Sequence, residues 1–200
     1  MTASPTCTLL ALDLAAVTEA WRSSALDTLC AARPGGRLAA LLAAPVEGVI
    51  IDCKRTAAAA LAPVTLGERR EVFDALAEDL ALAALFDAPA EALAVVLGAL
   101  GRLAKRTDLG LAGDEAFAYP DDLLEDPGVQ SSDRSGGLTT WLSGPPQIPA
   151  ALAALPEALA AADTAWPGLD PRLARDLLEA LAPLLRAAEK PAVVIVARRE

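Results

Sequence analysis

The stretch that decides the fold is Ala192–Ala197, AVVIVA, close to the carboxyl end of this 200-residue chain. It follows Lys190-Pro191, and a proline at this point ends the helical pattern that precedes it. Its β-branched residues favour extended backbone, and a strand this uniformly apolar is typical of one buried on both faces. The segment therefore predicts a strand inside a small sheet that helices cover.

Two other segments have strand character, TCTLLAL at residues 6–12 and VEGVIID at residues 46–52. A sheet built from strands near 6–12, 46–52 and 192–197 would pair the two ends of the chain. The predicted fold is α+β, a helix-dominated single domain over residues 1–200. An all-α bundle is the alternative.

The composition favours helices everywhere else. Hydrophobic residues make up 54% of the chain but aromatic residues only 4%, and much of the apolar fraction is alanine, the best helix former. The spacing of apolar residues predicts a long amphipathic helix over Leu66–Phe86, with Pro89 in the first turn of the next helix, which runs to about Lys105. A turn this short predicts an antiparallel helical hairpin. Trp21, on the face of an earlier helix, is predicted to lie in the core.

Residues 107–147 form a long irregular polar segment, rich in glycine, proline and serine. Loops of this length are uncommon in compact domains and are often functional. The segment holds all seven candidate partner-binding residues, of which six are acidic: Asp114, Glu115, Asp121, Asp122, Glu125 and Asp126. Their spacing does not match a calcium-binding loop. The interpretations that stay open are a solvated acidic loop, a docking surface for a basic partner, and a metal or paired-carboxylate site of another kind.

Trp141 is the seventh candidate partner-binding residue. It precedes a proline-rich stretch, Ser143–Pro149, and a tryptophan beside such a stretch is typical of surfaces that make polyproline-type contacts. The alternative is a stiff loop packed on its own domain.

The chain contains no histidine. This excludes Ser-His and Cys-His nucleophiles, histidine general bases and most transition-metal ligand sets. Phosphate-binding glycine motifs and the GxSxG elbow are absent as well. No catalytic residue, metal site or cofactor is predicted.

The three cysteines, Cys7, Cys30 and Cys53, form an odd set without CxxC spacing. This pattern is typical of reduced thiols in a reducing compartment. Cys7 and Cys30 are predicted to be small core residues. Cys53 precedes Lys54-Arg55, and it is either a structural cysteine or a reactive thiol beside two cations.

The formal net charge is −10, from 27 acidic and 17 basic residues. This balance disfavours nucleic acid and anionic membranes as partners and favours a basic protein. No apolar run reaches the length of a membrane span, and the amino terminus lacks a basic signal-peptide region. The preference for arginine and alanine suggests a bacterial coding sequence of high GC content, and we expect a soluble, cytoplasmic protein.

Three hypotheses about function follow. The first is a non-enzymatic protein-binding module, for example an immunity or antitoxin-like protein that neutralises a basic partner through its acidic surface. The alternative is a scaffold or assembly subunit that packs through Ala/Leu-rich helices, with a homo-oligomer as one form. The third is a histidine-free enzyme of unknown type.

Overall fold

The computed structural model describes residues 5–44, 51–60, 66–105, 139–142, 147–162, 166 and 168–199. The chain divides into two compact units. Unit 1 comprises Met1–Leu12, Leu82–Phe117 and Gly136–Glu200, and unit 2 comprises Asp13–Ala81 and Ala118–Ser135.

The described residues form eight helices and four strands. In chain order these are β1 (Thr6–Asp13), α1 (Leu14–Ser23), α2 (Leu26–Ala32), α3 (Arg37–Ala43), α4 (Ala57–Ala60), α5 (Leu66–Leu80), β2 (Ala83–Pro89), α6 (Ala90–Leu103), β3 (Thr139–Leu142), α7 (Gln147–Ala161), α8 (Pro171–Ala187) and β4 (Val193–Arg199).

The four strands form one sheet in the order β2-β1-β4-β3. β1 pairs with β2 and β3 pairs with β4, both in antiparallel orientation. The first and last strands of the chain are therefore neighbours, which confirms the prediction that the sheet pairs the two ends of the chain. Among the described strands, β2 and β3 form its edges.

The core of unit 1 lies between the sheet and helices α6, α7 and α8. One face of the sheet supplies Leu9 and Ala11 from β1 and Ile195 from β4, all buried. Leucines recur along the buried side of α6 and α8 because residues three and four apart share one helix face. Those with no exposed surface are Leu93, Leu97, Leu100, Leu178, Leu181, Leu184 and Leu185.

Val196 has no exposed surface although it alternates with Ile195 along β4. Since neighbouring side chains of a strand point to opposite faces, the closing strand is buried on both sides of the sheet at this point. This confirms the expectation drawn from the uniformly apolar AVVIVA segment.

Unit 2 contains helices α1 to α5. The Asp13 carboxylate caps α1 by accepting a hydrogen bond from the Ala16 backbone N at 3.1 Å. The α1 and α5 helices meet at Trp21 and Phe73, whose ring centroids lie 5.4 Å apart in an edge-to-face arrangement. Both side chains are buried, and such a pair adds about 1 kcal/mol beyond the area it buries. The prediction that Trp21 lies in the core is confirmed.

The predicted helix over Leu66–Phe86 is wrong beyond Leu80. Its last residues belong to β2, which separates α5 from α6, so the predicted antiparallel helical hairpin is wrong too. Alanine and leucine favour helix locally, but pairing of β2 with β1 supplies backbone hydrogen bonds that override this weak preference.

The α+β, helix-dominated fold class with a small sheet is confirmed. Of the predicted strand at 46–52, residues 46–50 lie outside the described residues, and Ile51 and Asp52 are not in a strand. A single domain over residues 1–200 stays a prediction, since compact units of this kind occur both within one domain and as separate domains. No helix in the described part of the chain is long and apolar enough to cross a membrane.

Candidate functional site

The most unusual surface of unit 1 lies on and just before β2. Only three large apolar side chains in the described residues are classed as exposed, and two of them are here, Leu82 at 49% and Phe86 at 51%. The third is Val95 on α6, at 43%. Exposure alternates from residue to residue along this stretch, and Ala84 between the two large side chains is also exposed. We call Leu82, Ala84 and Phe86 the apolar edge.

The pairing of β2 with β1 explains why Phe86 faces solvent. Leu85 pairs with Leu9 and packs against the core of unit 1, so its neighbours Ala84 and Phe86 point to the other face. The sheet places the alternate residues of this strand outward even though they are apolar. Exposed, uncharged residues on an edge strand are typical of a surface that another chain covers.

A β-bulge ends the regular part of this strand. The register shifts between Cys7 and Leu9, so Phe86 and Asp87 together lie opposite Thr8. Asp87 has a φ of 53°, in the left-handed region that aspartate tolerates better than most residues. Pro89 then has no backbone N–H to donate. Regular pairing by an added strand is therefore confined to the short part of β2 before the bulge.

The predicted acidic site lies outside the described residues. Its members are Asp114, Glu115, Asp121, Asp122, Glu125 and Asp126. Trp141 is described, and its backbone lies in β3 between Thr140, which pairs with Val196, and Leu142, which pairs with Ile195. The register shifts between those two pairs, so Trp141 is the additional residue of a second bulge.

The cysteines fall into two groups. Cys7 on β1 is buried in the core of unit 1, as predicted, whereas Cys30 and Cys53 in unit 2 are both half-buried. The prediction that Cys30 is a core residue is therefore wrong. Leu26 is the buried residue of α2, and Cys30 on the same short helix is only half-buried.

The Cys30 thiol lies in acidic surroundings. Partial burial raises the pKa of this thiol above its ordinary value, and the nearby Cys53, Asp79 and Asp27 raise it further because a thiolate there would face like charge. The described residues contain no group of three or more cysteine, aspartate or glutamate side chains placed to hold a metal ion.

The sequence analysis did not predict the apolar edge. Its residues lie in a stretch of alanine and leucine, which favours a helix. The local signal against a continuing helix is Phe86 followed by Asp87 and Pro89. Cys30 and Cys53 are far apart in the sequence and follow no motif, so the influence of Cys53 on the pKa of Cys30 is visible only in the folded chain.

Comparisons with protein-family models, with characterised proteins and with solved structures found no match for this chain.

Proposed function

We propose that this chain is a non-enzymatic protein-binding module whose partner is a basic protein. The observation that carries the proposal is the apolar edge, where Leu82 and Phe86 leave about half of their surface exposed. Aromatic side chains of this kind are the usual anchors of protein interfaces.

The magnitudes indicate how much of the binding this surface can supply. Full burial of a leucine or phenylalanine side chain contributes about 1.5–3 kcal/mol, so covering the exposed halves of Leu82 and Phe86 contributes about 1 kcal/mol each. This is too little for a stable complex, since micromolar binding requires about 8 kcal/mol. The partner must therefore contact further surface around the apolar edge.

Charge is the second support for the proposal. The net charge of −10 attracts a basic protein at long range and raises its association rate. In this proposal the acidic residues Asp114, Glu115, Asp121, Asp122, Glu125 and Asp126 contribute to that attraction, and the apolar edge supplies short-range contact. An immunity or antitoxin-like role is one form of this function.

The geometry of β2 limits how the partner binds. The bulge at Asp87 and the proline at position 89 leave only the segment around Ala84 for backbone pairing. We therefore propose that partner side chains cover Leu82 and Phe86, and that strand addition along the whole edge does not occur.

The test is a capture experiment with the tagged chain and a lysate of its source organism, quantified by mass spectrometry at low and high salt. The variant Leu82→Glu/Phe86→Glu places charge in the apolar edge, and Val95→Glu places the same charge on another exposed apolar residue. The proposal expects one basic protein in stoichiometric amount with the wild type and with Val95→Glu. It expects a loss of at least tenfold with the double variant, together with weaker recovery at high salt.

Reconstitution with the purified partner then completes the test. Equal binding of the wild type and the Leu82→Glu/Phe86→Glu variant, with both variants folded by circular dichroism, would show that the apolar edge is not the contact surface. Loss of binding with Val95→Glu as well would indicate a general effect of added charge and would also contradict the proposal.

A second candidate function is favoured by the same exposed side chains. A second copy of the chain could cover the apolar edge, which is the form that the scaffold hypothesis takes here. Light scattering after size-exclusion chromatography separates the two functions, because self-assembly requires a dimer that Leu82→Glu/Phe86→Glu dissociates. No observation in the described part of the chain favours the third hypothesis, a histidine-free enzyme.

A further inference from the structure

The charged residues on and around the apolar edge all have one sign. From Leu82 to Gly101 the chain contains two charged residues, Asp87 and Glu91, and both are acidic and exposed. In β1, the strand that pairs with β2, the charged residue is Asp13, which is acidic too. These segments contain no lysine or arginine. Their charge therefore complements a cationic side chain of a partner.

The two exposed carboxylates are placed at one end of the apolar edge. Asp87 immediately follows Phe86, and Glu91 lies in the first turn of α6, which begins directly after β2. Within the described residues, no hydrogen bond or ion pair engages either carboxylate. Both are therefore available to a cation, and a bound partner that excludes water would strengthen the attraction.

The spacing of the apolar edge suits one long side chain. Leu82, Ala84 and Phe86 alternate along β2, so neighbouring members lie about 6.5 Å apart on one face. Ala84 ends in a single methyl group, and the side chains on either side of it are much larger. A flexible hydrocarbon chain laid across Ala84 would therefore contact both Leu82 and Phe86.

We infer that the apolar edge binds an arginine side chain of the basic partner. The inference rests on the proposed function and names the group that the partner supplies. The hydrocarbon stem of the arginine covers Leu82 and Ala84. Its guanidinium group stacks on the exposed part of the Phe86 ring and donates hydrogen bonds to the Asp87 carboxylate, while Glu91 adds attraction at longer range.

Arginine fits this surface better than lysine does. The guanidinium group is planar and more weakly hydrated than an ammonium group, and it stacks on an aromatic ring while its N–H groups donate to a carboxylate. The ammonium group of lysine is a compact, strongly hydrated charge. A single arginine therefore satisfies both the aromatic part and the acidic part of this surface.

The test selects peptides from a random display library on the immobilised full-length chain, after removal of those that also bind Leu82→Glu/Phe86→Glu. Arginine should be enriched in the retained peptides. Fluorescence anisotropy then compares the Kd of the tightest peptide with that of copies in which lysine or citrulline replaces its arginine. Lysine should weaken binding by about threefold or more. Citrulline, which resembles arginine in shape but is uncharged, should weaken it by about tenfold or more.

Variants of the chain then locate the bound arginine. Phe86→Leu keeps an apolar side chain but removes the ring, and Asp87→Asn removes the charge with little change of shape. Each should weaken binding of the arginine peptide by about threefold or more, whereas Glu179→Gln, which removes an exposed carboxylate on α8, should not. With the citrulline peptide, Asp87→Asn should cause no further loss, because both substitutions remove the same interaction.

The possible outcomes separate this inference from the proposed function. Retained peptides without arginine, or an arginine peptide that binds Asp87→Asn and Phe86→Leu as tightly as the wild type, would overturn the inference. Both results would leave the proposed function standing, because binding would still require the apolar edge. A selection that retains no peptide would also overturn the inference. The proposed function fails separately, if the lysate yields no basic protein whose capture requires Leu82 and Phe86.

Discussion

At the scale of single residues, Asp79 caps a helix that lies about 40 positions earlier in the chain. Its carboxylate accepts hydrogen bonds from the backbone N atoms of Arg37 at 2.7 Å and Leu38 at 3.0 Å, which begin α3. The residue at the usual capping position of this helix is Gly36, which has no side chain to accept these bonds. A residue on α5 therefore caps α3 from a distance, and it joins two helices that the sequence alone does not connect.

This arrangement predicts a coupling between Gly36 and Asp79. A Cβ atom at position 36 would overlap the Asp79 carboxylate, whereas one at position 35 would meet nothing within 4 Å. We expect Asp79→Ala to lower the free energy of unfolding by about 1–2 kcal/mol through loss of the cap. Gly36→Ala should cost a similar amount because it displaces the same carboxylate, and Gly35→Ala should have almost no effect.

Urea denaturation of the three single variants and of Gly36→Ala/Asp79→Ala measures this coupling. Since both substitutions disrupt one interaction, the double variant should lose clearly less stability than the sum of the two single losses. Additive losses would contradict the proposed coupling, as would a Gly35→Ala variant that is destabilised as much as Gly36→Ala.

At the scale of elements, β2 shows where local preference and tertiary pairing disagree. The sequence AALFDAP contains good helix formers, yet the segment is a strand because β1 offers a backbone ladder beside it. The first and last strands were predictable since their apolar and β-branched residues favour strands without tertiary information. β2 lacks such residues apart from Phe86, so its type depends on a partner strand more than 70 positions earlier in the chain.

The bulge in β2 predicts a specific tolerance at position 87. Asp87 is exposed and has a φ of 53°, so a substitution there changes backbone strain without removing core contacts. We expect Asp87→Asn to leave stability nearly unchanged, because asparagine tolerates the left-handed region. Asp87→Val should lower the free energy of unfolding by about 1–2 kcal/mol, because a β-branched residue does not tolerate that region.

Thermal denaturation followed by circular dichroism distinguishes these outcomes. A Val variant as stable as the wild type would mean that the strand adopts regular pairing without the bulge. In that case the whole edge of β2 would become open to strand addition, contrary to the limited pairing proposed for the partner.

At the scale of the whole molecule, the sequence predicted the class of the fold better than it predicted the site. The fold class follows from composition and from two terminal strands, which are properties of long stretches. The apolar edge depends on which residues of β2 face outward, and the attachment of the segment Cys53–Ala57 to the start of α2 depends on three backbone hydrogen bonds. Neither leaves a periodic pattern in the sequence, because both arise from contacts between segments that are distant along the chain.

The charge of the whole molecule leads to a prediction that separates a local acidic surface from overall electrostatics. Asp121→Lys/Asp122→Lys changes the acidic residues assigned to partner binding. Glu157→Lys/Asp176→Lys changes two exposed carboxylates on α7 and α8 by the same total charge. With the partner identified by capture, we expect the first pair to slow association at low salt by about tenfold or more and the second pair to slow it much less.

Stopped-flow association at several salt concentrations provides the measurement. The difference between the two variants should shrink as salt rises, because screening removes long-range attraction while short-range contacts at Leu82 and Phe86 persist. Equal slowing by both pairs would mean that net charge alone steers the partner. An unchanged rate for Asp121→Lys/Asp122→Lys at low salt would remove the acidic segment from the binding surface and leave the apolar edge as its remaining support.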